Sequence, residues 1–145
     1  MNEPVKMLTI GGSDSGGAAG IQADLRAWAV LGAYGMVALT AVTAQNSLAI
    51  NAVEFMPPTF LRAQLDAIFA DYGAAGVKTG FFGRADLIEA AADGLRQHAP
   101  SIVIIDPVLV NHKGAAMFRD DVLRAYKTHL IPQATIVTPN LHEAA

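Results

Sequence analysis

Residues 11–24 hold the side chains and backbone most suited to chemistry, because five glycines (Gly11, Gly12, Gly16, Gly17 and Gly20) lie there between a short apolar strand and a helix. Glycine permits positive φ and lets a backbone approach a bound molecule closely, and the helix N-terminus beyond offers unpaired N–H groups to an acceptor. The pattern predicts a turn that touches a small ligand, although glycine-rich strand-to-helix turns also serve as plain connections. It matches neither the three-glycine dinucleotide fingerprint nor the P-loop, which needs a lysine and a hydroxyl after its last glycine. The loop carries Asp14 and no Lys or Arg, so it suits a neutral, hydroxylated ligand better than a polyphosphate.

The elements that must position this loop follow from the apolar pattern, which switches repeatedly between short continuous runs and helical spacing. Strands are predicted over residues 7–10, 36–43, 76–79, 102–105 and 135–138, with an edge or flap strand within 48–55. Helices are predicted over 19–31 (Ile21, Leu25 and Trp28 on one stripe), from Pro57-Pro58-Thr59 onward (Leu61, Leu65, Ile68, Tyr72), over 87–97 (Ile88, Ala91, Leu95) and over 120–130 (Leu123, Tyr126, Leu130). This βαβα alternation predicts an α/β fold with a parallel sheet, in which ligands gather beyond the carboxyl ends of the strands.

Composition narrows the classes. With 145 residues, 52% hydrophobic and 16% charged, the chain is one domain's worth and unusually apolar, as a sheet covered on both faces requires. A net charge of −3 gives no basic footprint for nucleic acid or anionic lipid. There is no cysteine, hence no disulfide or thiolate zinc site, and the N-terminus lacks a signal-like pattern, so a cytoplasmic protein is expected. Residues 27–53 contain no charge and raise a membrane-helix question, but Gly32, Gly35, Gln45, Asn46 and Ser47 interrupt them and favour a helix end and a buried strand.

Gly12-Ser13-Asp14 and Gly20-Ile21-Gln22-Ala23-Asp24-Leu25 together resemble the opening of the hydroxymethylpyrimidine and phosphomethylpyrimidine kinases of thiamine biosynthesis, members of the ribokinase superfamily. The likeness continues through Gly32-Ala33-Tyr34-Gly35, Thr40-Ala41-Val42-Thr43-Ala44-Gln45-Asn46, Val77-Lys78-Thr79-Gly80, Asp106-Pro107-Val108 and Thr138-Pro139-Asn140-Leu141-His142-Glu143. The resemblance implies a three-layer αβα ribokinase-like sandwich with a mostly parallel central sheet, truncated at its C-terminal side.

It also implies roles for particular residues. Gln45, just after the second strand, can set a donor and an acceptor against an aminopyrimidine edge; by itself it also reads as a glutamine satisfying loop backbone. Asp24, alone a solvated helical carboxylate, is implied to face the substrate hydroxymethyl group, with Gly12 in backbone contact nearby. Phe81, where the family often carries methionine, would wall or stack on the ring and Val108 would lie opposite, though both otherwise read as core residues. Asp106 could hold Mg²⁺ through water at its strand's carboxyl end, or simply lead into a Pro turn. Asn140 and Glu143 have capping-box spacing; the matching Asn-x-x-Glu motif implies instead nucleotide contact by Asn140 and metal-water positioning by Glu143, and a helix start can do both. His112, Lys113 and Gly114 form a polar loop that either folds over the reactants or is plain surface.

The implied reaction is transfer of the ATP γ-phosphoryl group to 4-amino-5-hydroxymethyl-2-methylpyrimidine and then to its monophosphate, with Mg²⁺ and a base near the hydroxyl. In the family that base lies in a segment corresponding to positions beyond Ala145. Residues 1–145 are therefore expected to be the N-terminal part of a single kinase domain, with no catalytic base and little turnover alone. The complete enzyme is expected to be a homodimer. Two alternatives remain at this point: a pyridoxal kinase of the same superfamily, and a catalytically inactive binding fragment whose unpaired sheet edge favours aggregation.

Overall fold

A computed structural model describes residues 3–109 and 120–144 of the chain. Six strands form one sheet in the order β3-β2-β1-β4-β5-β6. They are β1 (Lys6–Ser13), β2 (Tyr34–Gln45), β3 (Ile50–Phe55), β4 (Gly76–Thr79), β5 (Val103–Ile105) and β6 (Ile136–Val137). β3 alone runs antiparallel, as an edge strand on β2. The helices are α1 (Gly20–Val30), α2 (Pro58–Asp71), α3 (Ala85–His98) and α4 (Asp120–Ala125), and α4 runs on through a π-helical turn (Tyr126–Leu130) and a 3₁₀ turn (Ile131–Gln133). The α/β class and the mostly parallel sheet expected from the alternation are present.

Side-chain alternation along the strands decides which layer each residue joins. Leu8, Ile10, Met36, Ala38, Val77, Val103 and Ile105 pack with Leu61 and Leu65 of α2, with Leu87, Ile88, Ala91 and Leu95 of α3, and with Val122, Tyr126 and Leu130. α1 covers the opposite face of β1 and β2. Its approach is set by Gly35, where a Cβ would meet Leu25 Cδ2 at 2.6 Å and Trp28 Cε3 at 3.1 Å. The sheet is thus sandwiched, and no helix among the described residues is long and apolar enough to cross a membrane.

Three sequence expectations shift. Tyr72, placed on the buried face of α2, lies at that helix's C-terminal cap, 46% exposed and stacked on Tyr34 at 5.9 Å. Leu123, expected in register with Tyr126 and Leu130, is 39% exposed, because Val122 and Ala125 face inward instead and the wider π turn after Ala125 breaks the 3.6-residue period. Gln45 is the last residue of β2 rather than a loop residue after it.

One irregularity positions the ligand end of the sheet. Gly11 pairs with Leu39 and Gly12 with Ala41, so β2 carries one extra residue, Thr40, at a β-bulge. Gln64 of α2 satisfies the displaced strand by accepting from the Leu39 N–H at 2.8 Å and donating to its carbonyl at 3.0 Å. The Thr40 hydroxyl, fully buried, donates to the Phe81 carbonyl at 2.6 Å.

Phe82 is fully buried and meets Tyr126 edge-on at 6.0 Å. Phe82→Ala is expected to cost about 3–5 kcal/mol, seen in urea as a lower unfolding midpoint at unchanged slope.

Candidate functional site

β1 lies between β2 and β4; the chain passes from β1 through α1 to β2 on one side and returns from β3 through α2 to β4 on the other, and a crevice opens at the carboxyl ends of these strands. A cavity of about 430 Å³ occupies this place. Gly12, Ser13, Asp14, Ala19 and Gly20 line one side, Thr43, Gln45 and Ile50 another, and Lys78, Gly80, Phe81, Asp106 and Val108 the rest.

The glycine loop is folded on Asp14. Its carboxylate, 3% exposed, accepts from the backbone N–H of Ala19 and of Gly16, each at 2.8 Å. The Ala19 N–H, more than any other group, holds the Asp14 carboxyl below its ordinary value of 3.8, against the opposing effect of burial. The sequence pattern expected the N–H groups of the helix N-terminus to be open to a ligand; Asp14 takes that of the N-cap, Ala19, together with that of Gly16 in the loop. Gln22 closes the other side of the loop, accepting from the Asp14 N–H at 2.9 Å and donating to Ser13 Oγ at 2.7 Å. Gly20, at φ +59°, is irreplaceable on geometry: a Cβ there would lie 2.5 Å from the Gly12 carbonyl oxygen.

Gln45 is held by its backbone. Ser15 Oγ accepts from the Gln45 N–H at 2.7 Å and donates to the Gln45 carbonyl at 2.8 Å. Thr43 Oγ1 donates its one proton to the Ser13 carbonyl at 2.9 Å, with Gln45 Oε1 3.3 Å away. Gln45 lines the cavity, where an amide can offer an acceptor oxygen and a donor NH₂ group to a ligand. Phe81 stacks on Phe55 at 6.3 Å, and glycines make room for it: a Cβ at Gly12 would touch Phe81 Cδ1 at 3.0 Å, and one at Gly83 would touch Phe81 Cζ at 3.0 Å. The result is an aromatic wall and a polar amide around one cavity.

Charge enters through Lys78, which the sequence reading quoted within a motif but did not single out. Its Nζ stands 3.1 Å from Asp24 Oδ2 and 3.8 Å from Asp106 Oδ2. Thr9 Oγ1 donates to the same Asp24 oxygen at 2.7 Å. Asp24 does not line the cavity; it stands behind Lys78. Burial pushes the Asp106 carboxyl up from its ordinary value, Lys78 pulls it down, and the charges of Glu143 and Asp24 raise it further. A lone charged residue in a four-residue buried strand, two positions before a glycine, was the available signal for Lys78.

Asn140 and Glu143 form the capping box that their spacing predicts. Asn140 Oδ1 accepts from the His142 and Glu143 N–H groups at 2.9 and 3.0 Å, and Glu143 Oε2 accepts from the Asn140 N–H at 2.9 Å. Glu143 Oε1 also accepts from the Leu109 N–H at 2.9 Å, tying this turn to the segment after Asp106. His112, Lys113 and Gly114 lie outside the described residues.

Asp106 and Glu143 lie within electrostatic range of each other, and their carboxylate oxygens are the donor type that a hard cation takes. Among the described residues no three His, Cys, Asp or Glu side chains converge as a complete cage.

Comparison with known proteins places this arrangement. Residues 14–145 match the family model for phosphomethylpyrimidine kinase. A hydroxymethylpyrimidine/phosphomethylpyrimidine kinase of Rhizobium meliloti is 48% identical over 95% of this chain and 52% of its own length. The crystal structure of a phosphomethylpyrimidine kinase from Clostridium difficile superposes with a TM-score of 0.94 at 37% identity, covering 97% of this chain and 61% of that one. An ADP complex of Bacillus subtilis pyridoxal kinase superposes with a TM-score of 0.86 at 38% identity, over 98% of this chain and 52% of that one. The chain spans about half the length of the curated relatives it matches.

Asp14→Asn is expected to cost about 1–3 kcal/mol at pH 7, since a charged acceptor of two buried N–H groups is lost. Because the Asp14 carboxyl titrates below its ordinary value when folded, its contribution is complete above that value and is lost as pH falls through the lowered one. Urea unfolding of both proteins should show the gap narrowing from pH 5 to pH 3; a gap of constant size would contradict this role.

Proposed function

This chain belongs to the phosphomethylpyrimidine kinase family, and from that premise we propose that it holds the ring substrate in an ATP-dependent phosphorylation of 4-amino-5-hydroxymethyl-2-methylpyrimidine and its monophosphate, a step of thiamine diphosphate synthesis. Residues 1–145 are read as the N-terminal part of one ribokinase-like kinase domain. The observation that carries the reading is the cavity where the Gln45 amide and the Phe81 ring line the same space, beside Gly12 and Val108. A flat aminopyrimidine has apolar faces for Phe81 and Val108 and a donor-acceptor edge for Gln45.

Each residue then has a task. Gly12 lets the backbone of β1 approach the ring, and the bulge at Thr40 fixes Phe81 by its carbonyl. Asp106 and Glu143 would hold Mg²⁺ largely through water, where it would offset the phosphate charge that gathers during transfer. Asn140, whose side chain orders the turn at 140–143, presents that turn to the nucleotide. Orientation of substrate and the phosphoryl donor is the main contribution these residues make. The reading is cytoplasmic, with ATP and the pyrimidine as ligands, no nucleic-acid or membrane partner, and a homodimer for the complete enzyme.

The similarity to a pyridoxal kinase supports a second reading, in which the same cavity takes a hydroxymethylpyridine. Gln45 separates the two. Gln45→Leu is expected to weaken binding of the hydroxymethylpyrimidine by roughly 10-fold to 100-fold, as loss of a paired ring-edge contact costs about 1–3 kcal/mol. Pyridoxal affinity should change much less. Calorimetric titration of both ligands on both proteins checks this, and equal losses would remove Gln45 from ring selection.

A further inference from the structure

We propose that Lys78 is the group that meets the hydroxymethyl oxygen of the ring ligand, and that Asp24 is a positioning residue acting through it; this rests on the pyrimidine reading above. The position is costly to fill with charge. Lys78 lies in β4, its side chain 23% exposed, on the sheet face that also carries Thr9. An ammonium drawn partly out of water against a half-buried carboxylate is a weak stability device, since a matched apolar residue often serves as well. What the ammonium gains is a place on the cavity wall.

Its donors are already divided. Of three N–H bonds, one goes to Asp24 Oδ2 at 3.1 Å and a second is drawn toward Asp106 Oδ2 at 3.8 Å, which leaves the third for a ligand oxygen. Gly80 keeps that approach open, because even a Cβ there would come within 3.4 Å of Nζ. Asp24 is itself fixed from behind by the Thr9 hydroxyl at 2.7 Å, so the ammonium is aimed by a partner that cannot swing away. An ammonium donates and cannot accept, so it selects an oxygen lone pair rather than a protonated ring edge. An N–H already aimed at that oxygen would stabilise negative charge there without reorganisation.

The test is calorimetric titration of the chain with 4-amino-5-hydroxymethyl-2-methylpyrimidine and with 4-amino-2,5-dimethylpyrimidine, which lacks only the hydroxyl. The unaltered chain is expected to prefer the hydroxymethyl compound roughly tenfold. Lys78→Met should erase the preference while binding the dimethyl compound as before. Asp24→Asn should lower it to roughly threefold, because Lys78 stays but is aimed less well. An undiminished preference in Lys78→Met overturns the inference and leaves the pyrimidine reading standing. So does equal loss of both ligands, which marks Lys78 as structural, and so does complete loss of preference in Asp24→Asn alone, which puts Asp24 itself on the hydroxyl. If Lys78→Met does not fold, Asp24→Asn decides, and an unchanged preference there rejects the proposal. Failure of the unaltered chain to bind either compound rejects the pyrimidine reading and this inference with it.

Discussion

The backbone contact between Gly20 and the Gly12 carbonyl is the constraint from which the ligand end of this molecule is built. A side chain at position 20 would come within 2.5 Å of that oxygen, a separation no packed atoms sustain, so the end of β1 and the start of α1 meet there only as glycine. Everything in the loop follows from closing so tight a turn. Asp14 absorbs the N–H groups that the turn points inward, Gln22 reaches back from the first turn of α1 to Ser13 and Asp14, and Ser15 ties the loop to Gln45 across 30 residues of sequence. Fixing the loop therefore fixes the backbone of Gln45.

The other side of the cavity depends on a displacement rather than a turn. The extra residue in β2 turns the Thr40 hydroxyl toward the Phe81 carbonyl, and Gln64 repairs the ladder that the bulge interrupts. Phe81 then has little freedom, enclosed by Phe55 and by the absent side chains of Gly12 and Gly83. Polar repair in the interior and glycine at the surface of the cavity thus act on the same aromatic ring. A bulge next to a site re-aims side chains in this way, and here it aims a carbonyl.

Much of this was legible in the sequence, but unevenly. The strand and helix order followed from periodicity because each element buries a continuous apolar face, and the glycine loop announced the ligand end. Gln45, Phe81, Val108, Asp106 and Gly12 all reach the cavity. Lys78 was missed because its meaning is nonlocal: its partner Asp24 lies 54 residues earlier, and a four-residue strand has too few positions for periodicity to say which face a charge occupies. Asp24 packs against Thr9 and Lys78 outside the cavity lining, a placement that the spacing along α1 cannot show. Leu123 and Tyr72 failed at the helix ends, where a π turn and a C-cap replace the regular period.

Charge in so apolar a chain must be accounted for locally. Lys78 faces two carboxylates, Asp24 and Asp106, and Glu143 adds a third within electrostatic range of Asp106. Burial does most to raise the Asp106 carboxyl, Lys78 opposes it, and the charges of Glu143 and Asp24 add to the rise. Around Gln45 and Phe81 the arrangement is different, for hydrogen bonds, ring stacking and glycine contacts rather than charges hold these two residues at the cavity. One part of the cavity wall is thus fixed through backbone and packing, and the other by charges that burial and their neighbours set against one another.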